Sequence, residues 1–332
     1  MKEKIIDHLK HNMGRYVSGE ALSDTLGVSR TAIWKHIKEL KEEGYIIEAS
    51  SKKGYMLSAI VDILNECEIS QGLSTEIIGR KIYYFRSIDS TNKYAKDMAS
   101  EGCLDGTVVV ADTQTAGRGR LGRVWSSAEK KGIWMSVVLR PTIPPEEVQL
   151  ITLGASVAVV SAIYTALGLQ AGIKWPNDII LDGKKVCGIL IEMSCEMEQV
   201  GFIVVGIGIN VNHVLEDFPE GIRNTATSLK LQVNGDPKDT INRSNIIKKI
   251  LEELERIYEN IKSGSSKDII DKWKKYSVTI GKQVRVTAKG MEYIGTATNI
   301  TDDGKLVLTL ADGSTHEVIS GEVSVRGLLG YV

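Results

Sequence analysis

Gly117-Arg118-Gly119-Arg120-Leu121-Gly122-Arg123 satisfies the letter of G-x-G-x-x-G, the glycine fingerprint of a dinucleotide-binding βαβ unit. Such a unit also needs an amphipathic helix opening at the last glycine and an acidic residue after the next strand. Neither follows: Val124-Trp125-Ser126-Ser127 carries no helical stripe, and no Gly-Lys-Ser/Thr ending makes the loop a P-loop. A doubly wound dinucleotide fold is set aside, leaving a glycine-rich loop with three arginines. Glycine lets backbone approach a ligand, and guanidinium groups grip phosphate or carboxylate oxygens through paired donors. A solvated basic loop would share this composition; Trp125, directly after it, favours a ligand site.

On either side of the loop the chain alternates. Thr107 to Ala111, Ile133 to Leu139, Val186 to Ile191 and Phe202 to Ile207 read as apolar strands, with helices expected around 91–100, 146–168 and 244–262. The region from Ile82 to about Tyr276 is thus an α/β or α+β domain. Val148 to Ile173 has no charged residue and is long enough to raise a membrane span. Leu150, Leu153, Val157, Val160, Tyr164 and Leu167 recur at helical spacing, polar residues interrupt the run, and Glu146-Glu147 supplies an acidic first turn, so a buried helix is the expectation. After Ser263-Gly264-Ser265-Ser266 and a short helix, residues 278–327 contain four β-rich runs punctuated by Lys289-Gly290, Asp303-Gly304 and Asp312-Gly313, the pattern of a small β-barrel.

The amino-terminal region is helical. Ser18 and Ser29 stand where N-caps belong, Gly27-Val28 makes a tight turn between two helices, and Ile33, Ile37 and Leu40 form the buried stripe of the second. That leaves Ser29, Arg30, Thr31, Trp34, Lys35 and Lys38 facing outward near its N-terminal half, where a recognition helix meets base edges. Tyr45 to Ala49 and Gly54 to Leu57 look like a two-stranded wing whose tip carries Lys52 and Lys53, suited to phosphate contact. A structural hairpin with ordinary surface lysines is the plainer alternative; coincidence of cap, turn glycine and wing favours DNA binding. Asn65 to Ser74 is a connector without strong pattern.

The 332 residues call for two or three domains, and 42% hydrophobic residues suffice for sizeable cores. A net charge of −1 excludes a global positive field, so any DNA contact is local. Four cysteines without C-x-x-C spacing argue against a zinc site and a disulfide scaffold, and the charged amino terminus lacks a signal-peptide core, so a cytoplasmic protein is expected.

Three further motifs, Ser90-Thr91-Asn92, Lys174-Trp175-Pro176-Asn177-Asp178 and Asp182-Gly183-Lys184-Lys185, precede Gly206-Ile207-Gly208-Ile209-Asn210. Each alone is weak, since a Gly-Lys turn is ordinary in hairpins and strand glycines often mark close packing. Together with the Gly-Arg loop, their order and spacing resemble the biotin protein ligase family, and the leading helix-turn-helix resembles its bifunctional, DNA-binding form. The resemblance implies an α+β chain: a winged helix-turn-helix over 1–62, a linker over 63–79, a catalytic domain of class II aminoacyl-tRNA synthetase type over 80–276, and an SH3-like β-barrel over 277–332. It implies that biotin and ATP react to biotinyl-5′-AMP, magnesium accompanying ATP, and that biotin then passes to a lysine of a biotin carboxyl carrier protein. By the family pattern Ser90, Thr91, Asn92 and Gln114 satisfy the biotin ring. Arg118, Gly119 and Arg120 wrap carboxylate and phosphate, and Lys185 is the main catalytic cation, with Arg118 beside it. Arg123, Trp125, Asp178 and Asn210 serve the nucleotide with Arg120. It further implies a homodimer on an inverted-repeat operator. Between His213 and Ser228 the tryptophan of some repressor-type relatives is missing, Phe218 being the aromatic alternative. Two other readings stand beside the ligase: a biotin-sensing DNA-binding regulator without catalysis, and a lipoate ligase-like enzyme.

Overall fold

The computed structural model describes residues 1–59, 62–196, 199–233, 236, 240–288, 291–320 and 323–327. Contacts divide the chain into Met1–Glu68 and Ile69–Val332. The first unit holds α1 (Lys2–His11), α2 (Gly19–Leu26), α3 (Arg30–Glu42), β1 (Ile46–Ser50) and β2 (Gly54–Ala59). Local chemistry sets the helix ends. Ser18 Oγ accepts from Ala21 N at 3.0 Å, Ser29 Oγ accepts from Ala32 N at 3.2 Å, and Gly27 ends α2 in the left-handed region at φ 65°. Ile33, Ile37 and Leu40 are buried against Ile5, Ile6, Leu9, Leu22 and Leu57, as the stripe predicts. The wing is an antiparallel pair extended by Val17, which exchanges backbone bonds with Tyr55 at 2.8 and 2.9 Å. The connector differs from its sequence reading: a short helix, α4 (Glu66–Ser70), forms because Asn65 Oδ1 caps Glu68 N at 2.8 Å. Glu68 then takes Lys10 Nζ at 2.7 Å on each oxygen and the Tyr45 hydroxyl, closing the unit with a buried ionic knot.

The second unit is built on a seven-stranded sheet in the order β3-β4-β5-β9-β8-β7-β6. The strands are β3 (Ile82–Phe85), β4 (Val108–Ala111), β5 (Gly132–Leu139), β6 (Gly172–Lys174), β7 (Asp178–Leu181), β8 (Lys184–Glu196) and β9 (Gln199–Asn210). Only the β3–β4 pair is parallel. All eight residues of β5 are buried, as in a strand covered on both faces. On one face α5 (Thr91–Ser100) sets Ala95 and Ala99 against Val109, Val138, Phe202 and Val204. Alternation carries that face onward to Gly206 and Gly208 of β9 and to Ser136 and Trp134 of β5, beyond the N-terminus of α5. Helix α6 (Val148–Leu167) is long and apolar enough to cross a bilayer, yet it packs within the unit against α7 (Arg243–Lys262) and α8 (Lys267–Tyr276). It is apolar all round, as a core helix is, and only its last turn emerges. Tyr164, expected in the buried stripe, is therefore 58% exposed.

The carboxy-terminal region is a five-stranded antiparallel sheet: β10 (Gln283–Ala288), β11 (Met291–Ile300), β12 (Leu306–Leu310), β13 (Thr315–Val318) and β14 (Val323–Gly327), in the order β13-β12-β11-β10-β14. Four runs were expected; the last two strands are too short to stand apart in an apolar pattern. Gly304 and Gly313 turn at φ 87° and 83°, while the expected Lys289-Gly290 turn lies outside the described residues. Trp175 N donates to Thr279 Oγ1 at 2.9 Å and Trp175 Nε1 to Gly304 O at 3.2 Å, fixing this sheet beside β6.

Gly54 sits at φ 99°, and a Cβ there would meet Val17 O at 2.1 Å. Gly54→Ala is expected to cost the first unit about 2 kcal/mol or more, from backbone strain plus the lost Val17–Tyr55 pairing. Calorimetry of the full chain checks this through a lowered transition for one unit with the other unchanged.

Candidate active site

A cavity of about 770 Å³ opens on the α5 face of the sheet where the side chains of β9 run out. This is within the roughly 300–1,000 Å³ usual for small-molecule sites. Its floor needs glycine. A Cβ on Gly206 would lie 2.0 Å from Asn92 Oδ1, and Cβ atoms on Gly188 and Gly208 would each lie 2.9 Å from the Trp125 indole.

At one end is a polar cluster. Ser90 caps α5, Thr91 N and Oγ1 donate to Gln114 Oε1 at 2.8 and 3.0 Å, and Gln114 Nε2 donates to Ser127 Oγ at 2.9 Å. Ser136 Oγ lies 2.8 Å from Thr91 Oγ1 and 2.6 Å from Asn92 Oδ1, and Asn92 Nδ2 donates to Glu192 Oε2 at 3.0 Å. Four predicted residues are thus brought together. Ser136 was missed because it lies inside an apolar run read as core.

The Gly-Arg loop folds back on itself. Gly119 N donates to Arg123 O at 2.7 Å and Trp125 N to Gly117 O at 2.9 Å, and Leu121-Gly122 turn through the left-handed region at φ 57° and 70°. One 3₁₀ turn, Arg120–Gly122, is its only helical element. Arg118 and Arg123 stay exposed at the cavity mouth, while Arg120 Nη1 donates to Asn177 Oδ1 at 2.9 Å.

In the middle stands Lys185. Its Nζ is 2.5 Å from Asp178 Oδ1 and 5.1 Å from the Trp125 ring centre. The two charged residues lie on the antiparallel strands β7 and β8. Lys185 is also held by its backbone: its N donates to Thr225 O at 2.8 Å and its O accepts from Thr227 N at 2.9 Å. Lys174, named in the sequence but given no role, lines the same cavity, and burial pushes its ammonium down to about 8, with Lys185 and Arg326 adding repulsion against the attraction of Asp178.

At the far end Asn210 Nδ2 donates to Thr227 O at 3.0 Å, leaving its carbonyl oxygen for a ligand. An aromatic row runs from Trp125 through Trp134 and His213 to Phe218, with ring centres 6.4, 6.0 and 5.2 Å apart. Burial holds the His213 imidazole neutral, its pKa down to about 4. Trp125 Nε1, Trp134 Nε1 and His213 Nδ1 are buried donors or acceptors with no partner among the described residues, a feature of a polar site awaiting a ligand. Trp134 and His213 escaped the sequence reading; an aromatic in a core strand and a lone histidine carry no local signal.

In the first unit Ser29, Arg30, Thr31, Trp34, Lys35, Lys38, Lys52 and Lys53 are all exposed, Trp34 to 58%. Arg30 pairs with Glu20 at 2.9 Å, and Lys53 sits 5.4 Å over the Tyr16 ring. One helix face and the wing tip thus present cations together.

Comparison with known proteins agrees with this layout. The Biotin/lipoate A/B protein ligase family matches residues 84–210, an HTH domain matches residues 2–56, and the Biotin protein ligase C terminal domain matches residues 279–326. The chain is 43% identical over 313 residues to the bifunctional ligase/repressor BirA of Bacillus spizizenii, covering 94% of this chain and 95% of that one. It is 29% identical to the protein of the same description from Escherichia coli, over 94% of both chains. A solved biotin protein ligase from Aquifex aeolicus, in complex with biotin and ATP, superposes with a TM-score of 0.64 at 29% identity, covering 75% of this chain and 99% of that one. The chain belongs to the biotin protein ligase family, in the bifunctional ligase/repressor group that joins a helix-turn-helix domain to the ligase.

Proposed function

We propose that the cavity joins biotin to AMP and that the first unit reads an operator under control of that product. The observation that carries the ligase reading is Lys185, a cation fixed between the Ser90–Thr91–Gln114 cluster and the Asn210 end. The polar cluster suits a ureido ring, whose donors and acceptor cannot be buried unpaired. The biotin carboxylate would then point at Lys185, with adenine by Asn210 and the aromatic row.

In the first step a carboxylate oxygen attacks the ATP α-phosphorus, the bond to the β-phosphate oxygen breaks, and pyrophosphate leaves with the electron pair. Two anions must meet, so Lys185, Arg118 and Arg120 act by holding positive charge where negative charge gathers. Asp178 would hold the Lys185 ammonium in place through their 2.5 Å ion pair. In the second step a lysine amine of the biotin carboxyl carrier protein attacks the acyl carbon, AMP departs, and the amine loses its proton. Arg118, Gly119 and Arg120 would close over the intermediate and keep it from water. Magnesium would arrive on the triphosphate: among the described residues no group of three His, Cys, Asp or Glu side chains could hold a metal ion. A sensor without catalysis has no use for a cation at the α-phosphate, and a lipoyl ring has no ureido group for Thr91 and Gln114.

The domain division we propose is 1–62, 63–79, 80–276 and 277–332, with the first region bound to DNA through α3 and the wing. A single helix-turn-helix reads a short site, so two copies on an inverted repeat are required for selectivity. We place its work in a reducing cytoplasm, the setting that four cysteines without C-x-x-C spacing suit.

Three outcomes test these statements. Pyrophosphate release from ATP should depend on biotin and not respond to lipoate, and Lys185→Ala should lower it by about 100-fold or more while leaving the circular dichroism unchanged. Full activity in that variant removes Lys185 from the chemistry. Lys174 is charged below about pH 8 and loses its proton above it, so KM for ATP should rise as pH climbs through about 8 and stay flat in Lys174→Met. For the repressor, sedimentation should show biotinyl-5′-AMP driving the chain from monomer to dimer and operator DNA raising the apparent affinity for that ligand; a monomer that binds operator equally with and without it would eliminate the switch and leave the ligase untouched.

A further inference from the structure

Behind the cavity lies a buried ring of polar contacts that the chemistry above does not use. Arg243, in the first turn of α7, is 1% exposed, and its Nη1 donates to Asp112 Oδ1 at 2.7 Å and to Gly132 O at 3.2 Å. Asp112 and Gly132 bound the connection between β4 and β5 that contains the Gly-Arg loop, and Asp112 is tied twice more: Tyr84 Oη donates to its Oδ2 at 2.6 Å, and Lys130 N to its O at 3.2 Å. One guanidinium therefore spans the root of the loop that faces the carboxylate.

The root of the other covering segment, 213–228, enters the same ring. Val211 N and Asn212 N both donate to Lys131 O, at 3.1 and 2.6 Å, so the residue beside Gly132 carries the start of that segment. Asn212 in turn clamps Ile241 with two bonds, Nδ2 to O at 3.0 Å and Oδ1 from N at 2.9 Å, two residues before Arg243. Lys131 Nζ reaches Asp217 within the segment at 3.0 Å. The path Asp112–Arg243–Ile241–Asn212–Lys131–Gly132 closes on Arg243. A buried ion pair with these surroundings is weak evidence of stability in itself, because desolvation of both charges offsets their attraction. Its placement is informative: neither segment can shift at its root without moving atoms that hold the other.

We propose that Arg243 is a positioning residue that couples the two covering segments, so that occupancy of the nucleotide end changes affinity at the biotin end. The inference rests on the biotin-and-ATP reading given above. Coupling of this kind is a difference in free energy between linked sites, and it must be reciprocal.

The test is calorimetric titration of the full chain with biotin, alone and with saturating α,β-methylene ATP. In the unsubstituted protein the analogue should change the biotin Kd roughly fivefold or more, and in Arg243→Met by less than about twofold. Arg243→Lys, which keeps a cation against Asp112, should restore most of the coupling, whereas a merely space-filling role would predict no rescue. Full coupling in Arg243→Met, no rescue by Arg243→Lys, or no coupling in the unsubstituted protein each overturns the proposal. If Arg243→Met does not fold, Asn212→Ala decides in its place. It cuts both ties between Asn212 and Ile241 on the path to Arg243, so loss of at least half the coupling upholds the proposal and unchanged coupling overturns it. No biotin binding by the unsubstituted protein would overturn the reading itself, and this inference with it.

Discussion

Lys185 and Asp178 stand 2.5 Å apart across the β7–β8 hairpin, and most of the surrounding structure keeps that pair in place. A partly buried ion pair offsets the desolvation of its two charges only where its geometry is fixed. Several features fix it. Asp182 and Gly183 turn at φ 47° and 70°, letting the hairpin reverse in two residues, and the register shift between Ile179 and Ile180 offsets Lys185 against its neighbours. Trp125 lies over the ammonium from one side, while Thr225 and Thr227 bind its backbone from the other. Asp178 takes one of the ammonium's N–H donors, while the ring and backbone contacts take none.

The sheet sets distance. Along the α5-facing side of β9, Phe202 and Val204 carry the helix, then Gly206 and Gly208 carry nothing, so one strand passes from core to cavity floor within a few residues. Because α5 begins at Thr91, its capped N-terminus falls at that boundary and delivers Ser90, Thr91 and Asn92 to the cavity edge. The polar cluster, the cation and Asn210 are therefore all carried by one sheet and the helix cap at its edge, with irregular chain as the cover. Rigid placement of reacting groups is what a reaction between two like-charged partners needs most.

Much of this was legible without coordinates. Ser18, Gly27 and Ser29 write the helix-turn-helix in local chemistry, since a cap and a left-handed glycine act within a few residues of themselves. The Gly-Arg loop was legible because glycine and arginine there have few other uses together, and the strands near it because apolar runs must be buried. What escaped was tertiary. Ser136 and Trp134 are indistinguishable in sequence from the core residues of their strand. Arg243 and Asp112 are 131 residues apart and neither belongs to a motif. Strands β6 and β7 are only three and four residues long and meet the Lys174–Asp178 motif at its two ends, and Tyr164 looked buried because helical spacing says which face is shared, not where the covering layer ends.

The bare floor at Gly188, Gly206 and Gly208 has a pharmacological side. A pathogen escapes an inhibitor by altering a side chain that the inhibitor grips, but at these positions any new side chain would collide with Asn92 or Trp125 before it met the drug. A compound seated against Trp125 and Asn92 would rest on side chains whose positions only glycine beneath them permits. Escape would have to come from the Gly-Arg loop or the 213–228 segment, which line the same cavity.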